Sequence, residues 1–277
     1  MILAKKNTNF FLIGNGSLLL HACDILKKNK KSFYVILSKR HSKEKYKNHN
    51  FLRQLKDKKY KIHVSKNINK DKNFIKLLTD STNNIAICFG PSWIFESEIL
   101  KKFKQKMFNI NCIPLPKYMG GAHFTWQILN KSKECGIYLQ KITKNLDQGQ
   151  ILYSKKFKIK NRKPTPQNYF NLYEIEGKKF IKKIFSKFFN EKEFSIKLFK
   201  KSYLNREYYP RLNTKYNGLI NWDWSIDSLV LFCDAFDDPY QGASTFFNKK
   251  KIYLKKVSIV KKAYFHPIYF WNYIKRR

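Results

Sequence analysis

An α/β fold, a mostly parallel sheet with helices on both faces, is what this sequence predicts. Short apolar runs of strand length recur along the first half, at Phe10–Ile13, Phe33–Leu37 and Ile85–Phe89. Longer stretches of helical character separate them, where hairpin strands would be joined by two-residue turns. Strands alternating with helices are the pattern of crossover connections between parallel strands.

Taken in order, Phe10–Ile13 reads as a buried first strand, and Gly14-Asn15-Gly16-Ser17 turns the chain into a helix reaching about Leu26. Those glycines do not complete a dinucleotide-binding fingerprint. Leu19 stands where the third Gly belongs, and no ribose-binding acidic residue follows at the expected distance. Phe33–Leu37 is the second strand. Residues 43 to 60, Lys-rich with scattered apolar positions, predict a solvated helix. Ile85–Phe89 runs into Gly90-Pro91, a buried strand reaching a loop. Phe108–Asn111 and Gly136–Ile142 end or form further strands, completing a Rossmann-like sheet. In such sheets ligands sit beyond the carboxyl ends of the strands, so the loops after Phe89 and Ile110 are the places to look. Residues 167 to 189 are helical, with Phe170, Leu172, Ile175, Phe180, Ile184, Phe185 and Phe188 as the apolar side. A Lys- and Asn-rich connection leads to a small α+β C-terminal unit starting near Arg206. It contains Tyr208-Tyr209-Pro210-Arg211, then Gly218–Trp224, a helix over about 226 to 236, and a hairpin through Asn248-Lys249. The expected domains are 1–200 and 201–277.

Composition narrows the function classes. Hydrophobic residues make up 43% of the 277, enough for a real core. No apolar stretch approaches the roughly 18 residues a membrane span needs, and the N-terminus lacks a secretory apolar region. The five cysteines (Cys23, Cys88, Cys112, Cys135, Cys233) are odd in number, widely spaced and without CxxC pairs or zinc-ligand spacing. Reduced thiols, a cytoplasmic location and no metal are the expectation. The net charge of +38 invites a nucleic-acid partner. Yet only seven of the 57 basic residues are Arg, and Lys is spread along the whole chain. A solvated Lys coat fits that distribution better than a dedicated RNA surface. The tail from Ala263 to Arg277, aromatic and basic, reads as cover for the second unit's core more readily than as a membrane-surface segment.

The stretch from Asn109 to Leu152 is the most specific. It opens Asn109-Ile110-Asn111-Cys112-Ile113-Pro114-Leu115-Pro116-Lys117-Tyr118-Met119-Gly120-Gly121 and closes Leu146-Asp147-Gln148-Gly149-Gln150-Ile151-Leu152. It resembles the active-site signature of the folate-dependent formyltransferases, Asn-x-His-x-x-Leu-Leu-Pro with a Gly-bearing loop and a later Asp-x-Gly. Asn109, Pro116, Gly120 and Asp147 fall in register. The family's His is Asn111 here, and its Thr or Ser is Tyr138, which implies that a hydroxyl is displaced outward or lost. The region around Ile220-Asn221-Trp222 and Asp238-Pro239-Tyr240-Gln241-Gly242-Ala243 is similar to the family's C-terminal part.

That resemblance implies formyl transfer from N10-formyltetrahydrofolate, with no metal. Acyl transfer needs a donor aimed at the developing oxyanion and a route for the amine proton. Asn109 supplies a neutral amide donor. Asp147 is the proton-handling group, and Asn111 occupies the position of the His it orients in the family; a carboxamide donates but does not titrate. His123, in the following loop, is the alternative imidazole. The pterin slot is implied at Phe89, Gly90, Pro91, Trp93 and Ile94, with Asn145 and Leu146 opposite; Gly90 allows close backbone approach. Phe95 reads as ordinary core.

Three acceptors are open within the family: initiator tRNA, glycinamide ribonucleotide and nucleotide-linked amino sugars, the C-terminal unit arguing against the one-domain purine enzyme. The loop Gly120-Gly121-Ala122-His123-Phe124-Thr125-Trp126 is similar to that of enzymes acting on nucleotide-linked amino sugars, which serve surface polysaccharide. Tyr118, Gly120, Gly121, His123 and Trp126 are then the candidate acceptor contacts, although core packing explains Trp126 equally well. The initiator tRNA is the alternative acceptor, a catalytically inactive folate- or sugar-binding protein is the alternative from another class, and a homodimer is the expected assembly if one forms.

Overall fold

A computed structural model describes residues 7–46, 49–79, 83–190 and 207–259. The predicted tail segment and most of the Lys- and Asn-rich connection lie outside the described residues. The strands are β1 (Asn9–Gly14), β2 (Phe33–Ser38), the short pair β3 (Lys45–Tyr46) and β4 (His49–Asn50), β5 (Ile62–Ser65), β6 (Asn84–Phe89), β7 (Met107–Asn111), β8 (Met119–Gly120), β9 (Glu134–Lys141), β10 (Ile151–Lys158), β11 (Tyr208–Tyr209), β12 (Ala243–Phe247) and β13 (Lys250–Leu254). The helices are α1 (Ser17–Lys28), α2 (Phe51–Asp57), α3 (Lys72–Thr79), α4 (Ser97–Lys102), α5 (His123–Leu129), α6 (Pro166–Phe189), α7 (Thr214–Asn217) and α8 (Ile226–Ala235).

Seven strands form the main sheet in the order β10-β9-β7-β6-β1-β2-β5. From β5 to β7 all pairings are parallel; β9 runs antiparallel to β7, and β10 antiparallel to β9. The α/β class predicted from the sequence is what the chain adopts. Alternation along each strand feeds two cores. Phe10, Leu12, Val35, Leu37, Ile85, Ile87, Phe108 and Ile110 face the core closed by α1, α2 and α6, while Phe11, Ile13, Ile36, Ala86, Cys88 and Met107 face the one closed by α3 and α4. The first core continues into the C-terminal region through Ile220, Phe232, Phe236 and Ala243.

The turn after β1 is tight, as its glycines predict. Gly14 has φ +129°, and a Cβ there would stand 2.1 Å from the Phe89 carbonyl oxygen, so only Gly lets β1 and β6 approach at this point. The hairpin at Asn248-Lys249 also forms, with φ of 47° and 60° at the two turn residues, the left-handed pair that a two-residue hairpin loop demands.

Three expectations need correction. Residues 43 to 60 are not one solvated helix: a 3-10 turn and the β3–β4 pair precede α2, which buries Phe51 and Leu55. On α6, Phe170 and Ile175 are exposed, and the buried stripe runs through Tyr169, Tyr173, Gly177, Phe180, Ile184 and Phe188. Two tyrosines and a glycine carry the inner face there, which a reading by hydrophobicity alone passes over. β5, which pairs with β2, was not anticipated, because only two of its four residues are apolar.

Candidate active site

Residues 107 to 111 of β7 alternate between the two faces, so Met107, Asn109 and Asn111 share one side. Met107 is covered by the α3–α4 core. Further along the strand the same face reaches polar positions, and in β9 the register sets Gln140 opposite Asn109 and Tyr138 opposite Asn111. Side chains so paired are in contact range.

Asp147 joins this face from the loop between β9 and β10. Asn111 Nδ2 donates to Asp147 Oδ1 at 3.0 Å, and lies 3.4 Å from Gln140 Oε1. Gln140 Nε2 in turn donates to the backbone oxygens of Asp147 (2.9 Å) and Gly149 (3.0 Å). A Cβ on Gly149 would stand 1.6 Å from the Lys141 carbonyl oxygen, so the loop folds back on its own strand only because Gly occupies that position. Asp147 itself adopts φ +53°, where a short polar side chain is best tolerated. Burial raises its pKa above the usual carboxylate value, and the bond from Asn111 works the other way. Asn109 Oδ1 is buried without a hydrogen-bond partner.

Beside these groups lies a cleft open to solvent, about 440 Å³ when its solvent side is included. Asn109, Gln140 and Asp147 line one side; Pro91, Trp93, Ile94 and Phe95 line the other, with the 141–146 loop completing it. Of the residues predicted to hold folate, Pro91, Trp93, Ile94, Asn145 and Leu146 therefore meet around one space. Ile94 and Leu146 are 66% and 59% exposed, apolar groups left open in a cleft. Phe89 and Gly90 do not line it. Phe89 packs in the core and its carbonyl accepts from Asn15 N–H. Gly90 has φ +61°, which its turn requires, and open space beside it. Phe95 is 2% exposed and part of the core, as expected.

The predicted acceptor contacts gather elsewhere, against the chain's own β11 region. Tyr118 stacks on Tyr209 with ring centroids 5.0 Å apart, and the Trp126 indole N–H donates to the Pro210 carbonyl. A Cβ on Gly120 would meet the Tyr209 carbonyl oxygen at 2.3 Å, and one on Gly121 the Arg211 Cα at 2.9 Å. The two glycines thus let β8 pair with β11. His123 opens α5 with its ring 4.2 Å from that of Phe124; its surroundings desolvate it and lower its pKa to about 4.

Tyr138 departs from expectation. Its hydroxyl is not displaced outward: it donates to the Leu115 carbonyl at 3.2 Å, inside a small cluster with Ile113, Met119 and Ile151. Burial pushes the phenol up to about 12, so it stays a donor at neutral pH. Gln140 was missed by sequence reasoning. The available signal was a lone amide directly after the run Cys135–Leu139, which carries no charge, two residues from a position already singled out.

Comparison with known proteins settles the lineage. Residues 6–184 match the formyl transferase family model, and residues 213–267 match the model of the formyl transferase C-terminal domain. The chain belongs to the formyl transferase family. Among curated relatives, the bifunctional polymyxin resistance protein ArnA of Wigglesworthia glossinidia brevipalpis is 30% identical over 76% of this chain and 32% of its own length. The methionyl-tRNA formyltransferase of Prochlorococcus marinus subsp. pastoris is 27% identical over 72% of this chain and 60% of its own length. The matched region thus spans less than two thirds of either relative. Among solved structures, WlaRD, a sugar 3N-formyl transferase crystallised in the presence of dTDP and 5-N-formyl-THF, shares the fold at a TM-score of 0.69 and 21% identity. That match covers 90% of this chain and 85% of the other.

Proposed function

We propose that this protein transfers a formyl group from N10-formyltetrahydrofolate to the amine of a nucleotide-linked amino sugar, with Asn111 in the place of the family's His. The observation that carries the reading is the convergence of Asn109, Gln140 and Asp147, with Asn111 bonded behind Asp147, on one wall of a cleft whose other wall is the Pro91–Phe95 loop. That cleft suits the flat pterin, with Trp93 and Ile94 on one side and Leu146 on the other. The WlaRD structure, solved with dTDP and 5-N-formyl-THF, supports the choice of both ligands.

In this reading the amine lone pair attacks the formyl carbon, and the Asn109 amide stabilises the developing oxyanion. Asp147 takes the proton released from the amine. Collapse breaks the bond between the formyl carbon and N10, and the proton passes to N10, giving tetrahydrofolate and the N-formyl sugar. Asn111 aims the carboxylate and favours its charged form through its 3.0 Å bond, so one carboxylate carries proton transfer without an imidazole. Gln140 anchors the Asp147 loop at two carbonyls. The neighbourhood of the β8–β11 joint, where Tyr118, Gly120, Gly121, His123 and Trp126 lie, is the candidate acceptor side, with Tyr118, Trp126 and the two glycines themselves packed on residues 209–211.

The matched regions support the division into a catalytic domain over 1–200 and a small domain over 201–277. Among the described residues no helix is long and apolar enough to cross a membrane. Five unpaired cysteines support a reducing, cytoplasmic setting for a step in polysaccharide synthesis.

Calorimetric titration with 5-formyltetrahydrofolate tests the donor site without requiring the sugar to be known. Micromolar, saturable binding is expected; no binding up to millimolar folate overturns the reading in favour of a non-enzyme. The net charge favours one other acceptor, initiator tRNA. Specific tRNA binding with a steep salt slope would replace the sugar by that substrate.

A further inference from the structure

Ser92 stands between Pro91 and Trp93, two residues that line the cleft, but its hydroxyl is engaged with the end of β2. Ser92 Oγ lies 2.9 Å from His41 Nε2 and 3.0 Å from Ser38 Oγ. His41 is 1% exposed, in the turn that follows β2. Arg40 Nη2 sits 3.1 Å from the same His41 nitrogen. A guanidinium has only protons to offer. His41 Nε2 is therefore an acceptor whose one lone pair Arg40 and Ser92 share, and the neutral ring carries its proton on Nδ1, which is buried without a hydrogen-bond partner.

The remaining directions follow in sequence. Ser92 donates its one proton to His41 Nε2, so its oxygen accepts from the Ser38 hydroxyl. Ser38 Oγ accepts in turn from the His41 backbone N–H at 3.0 Å. Arg40 is held by Glu44 at 3.4 Å, and Glu44 also accepts from the Asn15 amide. One polar network thus ties the chain beyond β1, β2 and β6. The downstream half of the 90–96 loop has separate anchors, Trp93 Nε1 on the Lys66 carbonyl and Asn69 Nδ2 on that of Ile94. Ser92 supplies the side-chain tie for the stretch between Gly90 and Trp93.

We infer that His41 is a positioning residue for the folate cleft: by holding Ser92 it fixes the Pro91–Trp93 wall against which the pterin packs. The inference rests on the folate reading above. The charged groups facing the ring are Arg40 and Glu44, while Ser38 from β2 and Ser92 from the 90–96 loop are neutral. Burial lowers the His41 pKa from its ordinary 6.5, which keeps the accepting form at neutral pH. Protonation would place a second N–H against Arg40 and leave Ser92 without its acceptor.

The test is the Kd for 5-formyltetrahydrofolate in the full chain, by calorimetry, for wild type, Ser92→Ala, His41→Leu, the double variant and His41→Gln. Loss of one such hydrogen bond predicts weakening of about 3- to 10-fold in either single variant. The double variant should bind no worse than the weaker single, because both remove the same contact. His41→Gln, whose carboxamide oxygen can accept from Ser92, should stay within about twofold of wild type and lose the acidic fall in affinity that His41 imposes. Ser92 is exposed, so Ser92→Ala keeps the test open should His41→Leu fail to fold. A Ser92→Ala protein that binds folate as wild type does, or strict additivity in the double variant, overturns the inference while leaving the folate reading intact. Absence of folate binding in wild type overturns both.

Discussion

Asn111 and Tyr138 face each other across β7 and β9, at the two positions matched to a His and to a Thr or Ser of the family signature. A smaller side chain than the family's thus faces a larger one, so the two changes compensate in volume. The consequence can be measured as a cycle of Asn111→His, Tyr138→Thr and the double variant. Asn111 is 9% exposed and Tyr138 1%, so an imidazole added opposite the intact phenol overpacks the site, at a cost of about 1–3 kcal/mol. Tyr138→Thr removes the ring from Ile113, Leu115, Met119 and Ile151 and its bond to the Leu115 carbonyl, a loss of about 3–5 kcal/mol. In the double variant the imidazole fills part of the space the phenol vacates, and the two costs should fall short of their sum by at least about 1 kcal/mol. Denaturant unfolding reads the stabilities. Single-turnover formyl transfer reads the chemistry, and the double variant should gain on the order of 10²-fold or more if a missing imidazole limits the rate. Additive stabilities together with an unchanged rate would refute both the volume argument and the account of the lost imidazole.

The same geometry sets further expectations. Asp147 acts as a base only when ionised, so transfer should fall as pH drops through a pKa raised by burial; Asn111→Ala removes the bond that holds this pKa down and should move the acidic limb of the pH–rate profile to higher pH. A raised folded pKa also means that stability is lost as pH rises from the ordinary carboxylate value through the folded one, so Asp147→Asn should abolish most transfer while leaving stability at neutral pH equal or higher, as checked by thermal unfolding. Gln140→Ala frees two carbonyls of the Asp147 loop, worth about 1 kcal/mol each, and should cut kcat/KM by roughly 10- to 30-fold in steady-state assays. Gly149→Ala would drive a Cβ into the Lys141 carbonyl and should cost about 1–3 kcal/mol of stability, or displace the loop and lose folate binding.

Much of the fold was legible locally. β1, β2 and β6 announce themselves because strands covered on both faces must be nearly all apolar, and the Gly14 and Asn248-Lys249 turns because few residues tolerate their backbone angles. What failed did so for identifiable reasons. β5 alternates apolar and polar residues over only four positions, too few for periodicity to register. The inner stripe of α6 runs through Tyr169, Tyr173 and Gly177, whose burial depends on partners elsewhere: Tyr169 donates to the Ser132 carbonyl, and a Cβ on Gly177 would meet Leu18.

By itself the sequence determined the alternation of strands and helices, the family motif at Asn109, Pro116, Gly120 and Asp147, and the absence of imidazole at position 111. These are properties of residue type and spacing, and no folding is needed to read them. Only the tertiary structure decided that Gln140 anchors the Asp147 loop, that the Tyr138 hydroxyl turns inward to Leu115, that Tyr118 and Trp126 pack on the 208–211 segment, and that His41 reaches Ser92 across 51 positions of chain. Those contacts join residues far apart in sequence, and strand register together with the approach of separate loops sets which polar atoms meet. Spacing along a single chain carries no record of either.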